Sequence, residues 1–143
     1  MSELVTTLLI VIVTFLIIVG GWRYYTGHYP ASTMIVTEPP VSHNGLDPKQ
    51  ARFMFFYVNW CPYSLKAKKA WASFKAQNKN LYNGYSVSFE DINAEADKGK
   101  TALYSVKEYP TFKLETQKKV FHMKGIPDPL TFDAFLNAAL KTV

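Results

Sequence analysis

Hydrophobic and polar positions divide the chain into two parts with different periodicity. The first part contains an apolar run, Leu4–Trp22, of 19 residues without a charged side chain, and about 20 such residues cross the hydrocarbon of a bilayer as an α-helix. The run is apolar all round, whereas a helix on a protein core is striped. Because Met1–Glu3 lacks the basic residues of a cleaved secretory signal, the pattern predicts an uncleaved anchor over residues 1–23, with residues 4–22 in the membrane.

Residues that favour the membrane surface follow this run directly. Amphipathic aromatic side chains collect where hydrocarbon meets water, and the predicted interface residues are Trp22, Arg23, Tyr24 and Tyr25. No Lys or Arg precedes the span, and Arg23 follows it at once. The positive-inside rule therefore predicts a single-pass protein whose C-terminal domain lies on the cytosolic side.

The next stretch, residues 24–50, is interrupted by Gly and Pro and has few large apolar side chains, which is typical of an arm or linker. Within it, Thr33–Thr37 (TMIVT) is rich in β-branched residues. This composition predicts a short strand, either the first strand of a sheet or one at its edge.

The remainder, residues 51–143, alternates between strand and helix patterns. Arg52–Trp60 (RFMFFYVNW) is largely apolar, as expected for a central strand covered on both faces. From Pro62 to Phe74, apolar residues recur at helical spacing between lysines. The later pattern predicts a loop over Asn78–Gly84, a strand over Tyr85–Ile92 and a weaker helix over Ala94–Val106. It then predicts a hairpin of Thr111–Glu115 with Val120–Lys124, followed by a last helix capped by Asp128. This order predicts an α/β sandwich, in which a mixed central sheet is flanked by helices.

Composition and charge narrow the function classes. With 48% hydrophobic and 15% aromatic residues, the chain is able to form a packed core. The net charge of +5 comes mainly from lysines, without a nucleic-acid recognition motif, so we expect no nucleic-acid partner. Attraction to an anionic membrane or an acidic protein surface fits the charge. His28, His43 and His122 stand apart from other ligand residues, and we therefore expect no metal site.

Candidate chemistry centres on Cys61, the single cysteine of the chain. It lies between a buried strand and the start of a helix, where free backbone N–H groups and the helix dipole lower the pKa of a thiol. Ser64 has no obvious base near it in the sequence and suits the first turn of the helix better than a nucleophilic role. A lone cysteine forms no internal disulfide, and no Asn-x-Ser/Thr site is present, so we expect Cys61 to be reduced.

Four short motifs occur in a familiar order. They are FYVNWCPYS (residues 56–64), Asp91-Ile92-Asn93, Tyr109-Pro110-Thr111, and Gly125 ahead of the last helix. Together they resemble the thioredoxin superfamily, and most of all a thioredoxin or protein-disulfide-isomerase-like domain, over roughly residues 49–143. The resemblance implies a thioredoxin-like sandwich with Cys61 as exposed catalytic nucleophile and a cis peptide bond before Pro110 facing it. The implied rim for a substrate or partner consists of Trp60, Pro62, Tyr63 and Tyr109.

The chain departs from the dithiol pattern of this superfamily. Ser64 stands where the resolving cysteine is expected, Phe55 where a buried carboxylate is expected, and Lys69 where a helix-kinking proline is expected. The first helix of the full fold is also hard to fit between TMIVT and the central strand. Because a serine cannot resolve a mixed disulfide, we do not expect dithiol catalysis, and whether the protein is an enzyme stays open.

Cys-Pro-Tyr-Ser also resembles a glutaredoxin site reduced to one thiol. The Thr-Val-Pro and Gly-Gly signatures that hold glutathione in glutaredoxins are absent, however, because Glu108-Tyr109-Pro110 and a single Gly125 stand in those regions. We therefore expect no cofactor, with glutathione as the minority alternative.

Two functions remain open. Aromatic-rich FYxxWCPY domains on a membrane anchor resemble proteins encoded by large nucleocytoplasmic DNA viruses, which implies a structural or partner-docking role. A minor capsid protein that joins capsid proteins to a membrane, with its domain on the interior or shell side of the virion, is one such role. The alternative is a monothiol thiol–disulfide oxidoreductase or mixed-disulfide trap that uses Cys61. The missing resolving thiol and carboxylate favour the first function, and the intact Trp-Cys-Pro context favours the second.

Overall fold

The computed structural model describes residues 2–26, 35–42, 44–77 and 80–143. The chain divides into two units, residues 1–32 and residues 33–143. The first unit contains helix α1, Ser2–Thr26, in which Glu3–Gly21 is long and apolar enough to cross a membrane. The hydroxyl of Thr14 donates to the carbonyl of Ile10 one turn earlier, and such a bond satisfies a polar group inside an apolar helix.

The predicted interface residues lie on the last turns of α1, which continues three residues beyond the predicted anchor and ends at Thr26. Of their side chains, the structure describes only that of Tyr24, which is exposed. The side chains of Trp22, Arg23 and Tyr25 lie outside the described part, as do His28 and His43 and the first two residues of the predicted TMIVT strand.

The second unit is a six-stranded mixed sheet with three helices. Its sheet order is β1-β6-β5-β2-β4-β3, and β2 pairs in parallel with β4 and antiparallel with β5. The elements are β1 (Ile35–Glu38), β2 (Gln50–Tyr57), α2 (Pro62–Gln77), β3 (Leu81–Tyr82), β4 (Tyr85–Asn93), α3 (Lys98–Leu103), β5 (Thr111–Thr116), β6 (Val120–Met123) and α4 (Pro129–Ala139). The predicted α/β sandwich with a mixed central sheet is thereby confirmed.

Local differences from the prediction have clear physical causes. The expected loop over Asn78–Gly84 contains the short strand β3, which pairs with β4 through a two-residue turn. Asn83 and Gly84 have φ values of 47° and 81°, the combination that a tight type I′ hairpin requires. The expected helix over 94–106 is shortened to α3, because the Asp97 side chain accepts a bond from the Lys100 N–H (2.8 Å) and caps the helix at that point.

No helix occurs between β1 and β2 in the described residues 39–42 and 44–49. This finding agrees with the sequence, in which the first helix of the full fold is hard to fit between TMIVT and the central strand. β1 is an edge strand, which was one of the two predicted alternatives. Its four residues pair with β6, from Ile35 opposite Met123 to Glu38 opposite Val120.

An aromatic core fills the face of the sheet that α2 and α4 cover. Alternate residues of β2 point to this face, and Phe53 and Phe55 are fully buried there. Phe55 stacks on Phe112 with ring centroids 4.8 Å apart, while Trp71 of α2 meets the ring of Phe53 edge-on at 5.0 Å. Each fully buried aromatic side chain of this kind stabilises the fold by about 1.5–3 kcal/mol.

The opposite face of the sheet holds a small apolar cluster and a layer of charged groups. Glu115 of β5 is fully buried and accepts hydrogen bonds from the Tyr104 hydroxyl (2.7 Å) and from Arg52 (3.4 Å). Lys113, only 2% exposed, forms an ion pair with Glu38 of β1. Every residue of β5 is consequently buried, on both faces of the sheet.

Candidate functional site

Cys61 is positioned by the junction between β2 and α2. β2 ends at Tyr57, whose carbonyl accepts a bond from the Ala94 N–H (2.9 Å), so that the chain leaves the sheet beside β4. The Cys61 carbonyl accepts the first helical bond, from the N–H of Leu65 (3.1 Å), and Pro62 opens α2. Cys61 therefore occupies the position just before the helix, where the helix dipole and free N–H groups favour a negative charge.

The Cys61 side chain is 7% exposed and packs with Val58, Ala94 and Tyr109. Its thiol donates to the carbonyl oxygen of Tyr109, with a sulfur–oxygen distance of 3.7 Å. The Tyr109–Pro110 peptide bond is cis, the geometry that the resemblance implied. The fold thus brings the two predicted site residues Cys61 and Pro110 together, although 48 positions separate Cys61 from Tyr109 in the chain.

Hydrogen bonds to the sulfur lower the pKa of Cys61. The backbone N–H of Ser64 makes the largest contribution, burial of the thiol opposes it, and the Ser64 hydroxyl and the Tyr63 N–H add to the lowering. These donors stabilise the thiolate more than the thiol. Both the position of Cys61 ahead of α2 and these donors therefore favour the thiolate form of its side chain.

Ser64 is fully buried beneath Cys61. Its hydroxyl oxygen accepts a bond from the N–H of Val58 (3.4 Å), and the same hydroxyl helps to lower the pKa of the Cys61 thiol. Ser64 is therefore part of the support of the thiol, while the chain offers no second cysteine to resolve a disulfide at Cys61.

Exposed aromatic side chains flank the buried thiol in the sequence. Trp60 is 71% and Tyr63 is 75% exposed, and Pro62 is exposed as well, whereas Tyr109 is half-buried. Exposed aromatic groups of this size are a common feature of protein-binding surfaces.

Two of the residues that depart from the dithiol pattern are a core aromatic side chain and a surface lysine. Phe55 is fully buried and stacked in the aromatic core, and Lys69 is exposed on α2. Asp91, opposite Phe55 on β4, is bonded to the Trp71 indole N–H and to Lys75 (2.7 Å). Among the residues that the structure describes, hydrogen-bond donors and burial shift the pKa of the Cys61 thiol, and no carboxylate does so.

A polar network that the sequence analysis did not find holds the loop before Cys61. The backbone N–H of Asn59 donates to the Glu95 carboxylate (3.0 Å), and Lys68 donates to the Asn59 side chain (3.0 Å). The same lysine lies 3.7 Å from the ring centre of Tyr57. The sequence contains no local signal for these contacts, because the partners lie at the end of β2, in α2 and after β4.

The described residues contain no group of three or more His, Cys, Asp or Glu side chains that could hold a metal ion. A cavity of about 490 Å³ lies away from Cys61, between the segment after β1 and the end of α3, and its lining includes Val41, Tyr104 and Val120. The absence of a cofactor, with glutathione at Cys61 as the minority alternative, stays a prediction.

Comparison with known proteins identifies the fold. No protein-family model matches the chain, and no curated protein matches it. Among solved structures it is similar to the Trx4 domain of ERdj5, at 19% identity over 66% of this chain and 83% of that domain, with a TM-score of 0.55. It is also similar to the first thioredoxin domain of mouse protein disulfide-isomerase A4 (15% identity, 62% of this chain and 61% of that one, TM-score 0.52) and to thioredoxin-2 of the malaria parasite (13% identity, 62% and 82%, TM-score 0.52).

The second unit therefore has the thioredoxin-like fold. This unit follows an N-terminal apolar helix that is compatible with a single membrane span.

Proposed function

We propose that this protein is a membrane-anchored docking protein that captures a partner through Cys61 as a mixed disulfide. The observation that carries the proposal is the position of Cys61, a lone thiol with a lowered pKa ahead of α2, with a buried serine in place of the resolving thiol. α1 supplies the anchor, and the cytosolic side remains the proposed location of the domain.

The proposed capture step is an ordinary thiol–disulfide exchange. The Cys61 thiolate attacks one sulfur of a partner disulfide, a new sulfur–sulfur bond forms, the partner's own disulfide breaks, and the second partner sulfur leaves as thiolate. The step needs no external oxidant. Because the Ser64 hydroxyl cannot attack the mixed disulfide, release requires a separate thiol such as glutathione or a cysteine of a further protein.

The test compares the full-length protein in detergent with its Cys61→Ser and Ser64→Cys variants. Each is incubated with a peptide that contains one disulfide, and the products are analysed by mass spectrometry under non-reducing conditions. The unaltered protein should accumulate a one-to-one mixed disulfide and the Cys61→Ser variant none. Ser64→Cys should release the reduced peptide and form an internal disulfide between Cys61 and the introduced thiol. Absence of the adduct with the unaltered protein would reject the capture function.

A second candidate function is non-covalent. The exposure of Trp60 and Tyr63 favours a protein contact that needs no thiol chemistry, and a chain with such a contact and an anchor can join a bilayer to a protein layer such as a viral capsid. Co-purification separates the two functions. A partner that stays at fixed stoichiometry with the Cys61→Ser variant, and is lost on Trp60→Ala, supports the structural role; a partner lost on Cys61→Ser supports capture.

A further inference from the structure

The end of the sheet opposite Cys61 carries a basic surface that the proposed thiol chemistry does not use. Lys49 precedes β2, Lys118 and Lys119 lie in the β5–β6 turn, and Lys141 follows α4. We refer to these four residues as the basic end. β2 is eight residues long, or about 26 Å, and Cys61 lies beyond its other end.

The fold brings the four lysines to one end of the sheet although they come from distant parts of the sequence. The Lys49 carbonyl accepts a bond from the N–H of Ser86 (2.8 Å), and the Lys119 carbonyl accepts one from the N–H of Thr116 (2.8 Å). The Lys119 ammonium donates to the Thr142 carbonyl (3.1 Å), which places it beside Lys141. Between Lys49 and Lys118 lies a cavity of about 280 Å³ whose lining includes Tyr85 and Gln117.

The lysines of the basic end differ from the paired lysines elsewhere in the domain. Within the described ranges, none of its four lysines forms an ion pair, whereas Lys75, Lys100, Lys113 and Lys124 are each paired with an acid. Lys49, Lys118 and Lys141 are exposed, and the Lys49 ammonium lies 4.8 Å from the ring centre of Tyr85. A surface with several unpaired ammonium groups attracts an anionic partner and speeds its association.

The composition of the basic end favours a particular kind of anion. This surface contains no arginine, and its aromatic ring, Tyr85, is only 7% exposed, so it lacks the stacking surface typical of single-stranded nucleic-acid sites.

We propose that the basic end is a docking surface for an acidic segment of a partner protein, in which carboxylates meet the four ammonium groups and one side chain enters the cavity between Lys49 and Lys118. This surface is separate from Cys61. The protein would then have two contact sites at opposite ends of one sheet, one covalent and one electrostatic.

The test measures binding of three fluorescent anionic probes to the full-length protein in zwitterionic detergent, by anisotropy at low and at physiological salt. The probes are a glutamate-rich peptide of twelve residues, a single-stranded oligonucleotide of equal charge, and the soluble headgroup glycerophosphoserine. The variant K49Q/K118Q/K119Q/K141Q removes the basic end. The matched control, K66Q/K69Q/K98Q/K107Q, removes four other exposed lysines that form no ion pair in the described structure.

We expect the acidic peptide to bind more tightly than the other two probes, its affinity to fall with salt, and the basic-end variant to weaken it at least tenfold while the control changes it less than threefold. Equal losses in the two variants would overturn the proposal, because net charge alone would then account for binding. Tighter binding of the oligonucleotide or the headgroup would overturn the assignment of an acidic protein segment as the partner. The Cys61→Ser variant should bind the peptide as the unaltered protein does, so the outcome is independent of the capture function.

Discussion

The hydrogen bond between Tyr104 and Glu115 should be a major source of stability in the charged layer of the sheet. The Tyr104 hydroxyl lies 2.7 Å from one Glu115 oxygen, and the second oxygen of this buried carboxylate has no hydrogen-bond partner among the described residues. Tyr104→Phe removes the shorter of the two bonds that the carboxylate accepts and leaves that from Arg52 at 3.4 Å.

The expected magnitude follows from the burial of both partners. Hydrogen bonds to charged groups contribute about 1.5–3 kcal/mol, and we expect the upper part of this range, because water cannot replace the lost donor next to a fully buried carboxylate. The free energy of unfolding should fall by about 2–3 kcal/mol, which for a domain of this size lowers Tm by about 8–12 °C.

The same bond makes the expected loss of stability depend on pH. Burial, and next the contact with Glu115, raise the pKa of Tyr104 above its ordinary value of 10.0. Folding therefore favours the neutral phenol. The contribution of this group to the free energy of unfolding is fully present below about pH 10 and is lost as the pH rises further. The difference in stability between the unaltered protein and Tyr104→Phe should thus be constant from about pH 7 to 9 and shrink above about pH 10.

The assay is urea unfolding of the full-length protein in detergent, followed by near-ultraviolet circular dichroism at several pH values. Tyr85→Phe is the matched control, because Tyr85 is also buried but its hydroxyl has no hydrogen-bond partner in the described part of the chain. The control should change the free energy of unfolding by less than about 0.5 kcal/mol. Equal effects of the two substitutions at neutral pH, or a pH-independent difference, would refute the reasoning.

Three further predictions concern single positions. Ser64→Ala should raise the pKa of Cys61, measured by alkylation rate against pH, because the Ser64 hydroxyl is one of the groups that lower this pKa; an unchanged profile would contradict this. Asp128→Ala should cost about 1 kcal/mol at neutral pH through loss of the α4 cap, and the cost should diminish on acidification below about pH 4, since bonds from Thr131 lower the pKa of Asp128. Gly84→Ala should cost about 1 kcal/mol, because φ is +81° there, and thermal unfolding that matches the unaltered protein would show that the turn relaxes.

The elements with strong periodicity were predictable, whereas those that depend on a partner were not. β2, α2 and α4 follow from apolar runs and helical spacing, because burial selects the same residues that the pattern displays. The Asn83-Gly84 turn was also present in the sequence as a hairpin signal. The loop prediction missed it because the two residues of β3 are too few to show a strand pattern.

The strand β5 shows where pattern analysis fails. TFKLE alternates apolar and polar residues, which ordinarily indicates one solvated face, yet Lys113 and Glu115 are buried with the rest of the strand. Their partners are Glu38 on β1 and Tyr104 after α3, which the fold brings to the same face of the sheet. A buried charge depends on such partners, and the local sequence does not contain them.

The sequence by itself determined the apolar N-terminal helix, the order of strands and helices, and the placement of a single thiol between a central strand and a helix start, because hydrophobic burial and helix termini are encoded locally. Only the tertiary structure decided which carbonyl meets that thiol and which lysines lie together at the opposite end of the sheet. The Tyr109 carbonyl beside Cys61 and the four lysines of the basic end come from residues far apart in the chain, and their chemistry depends on distances that exist only after the sheet has formed.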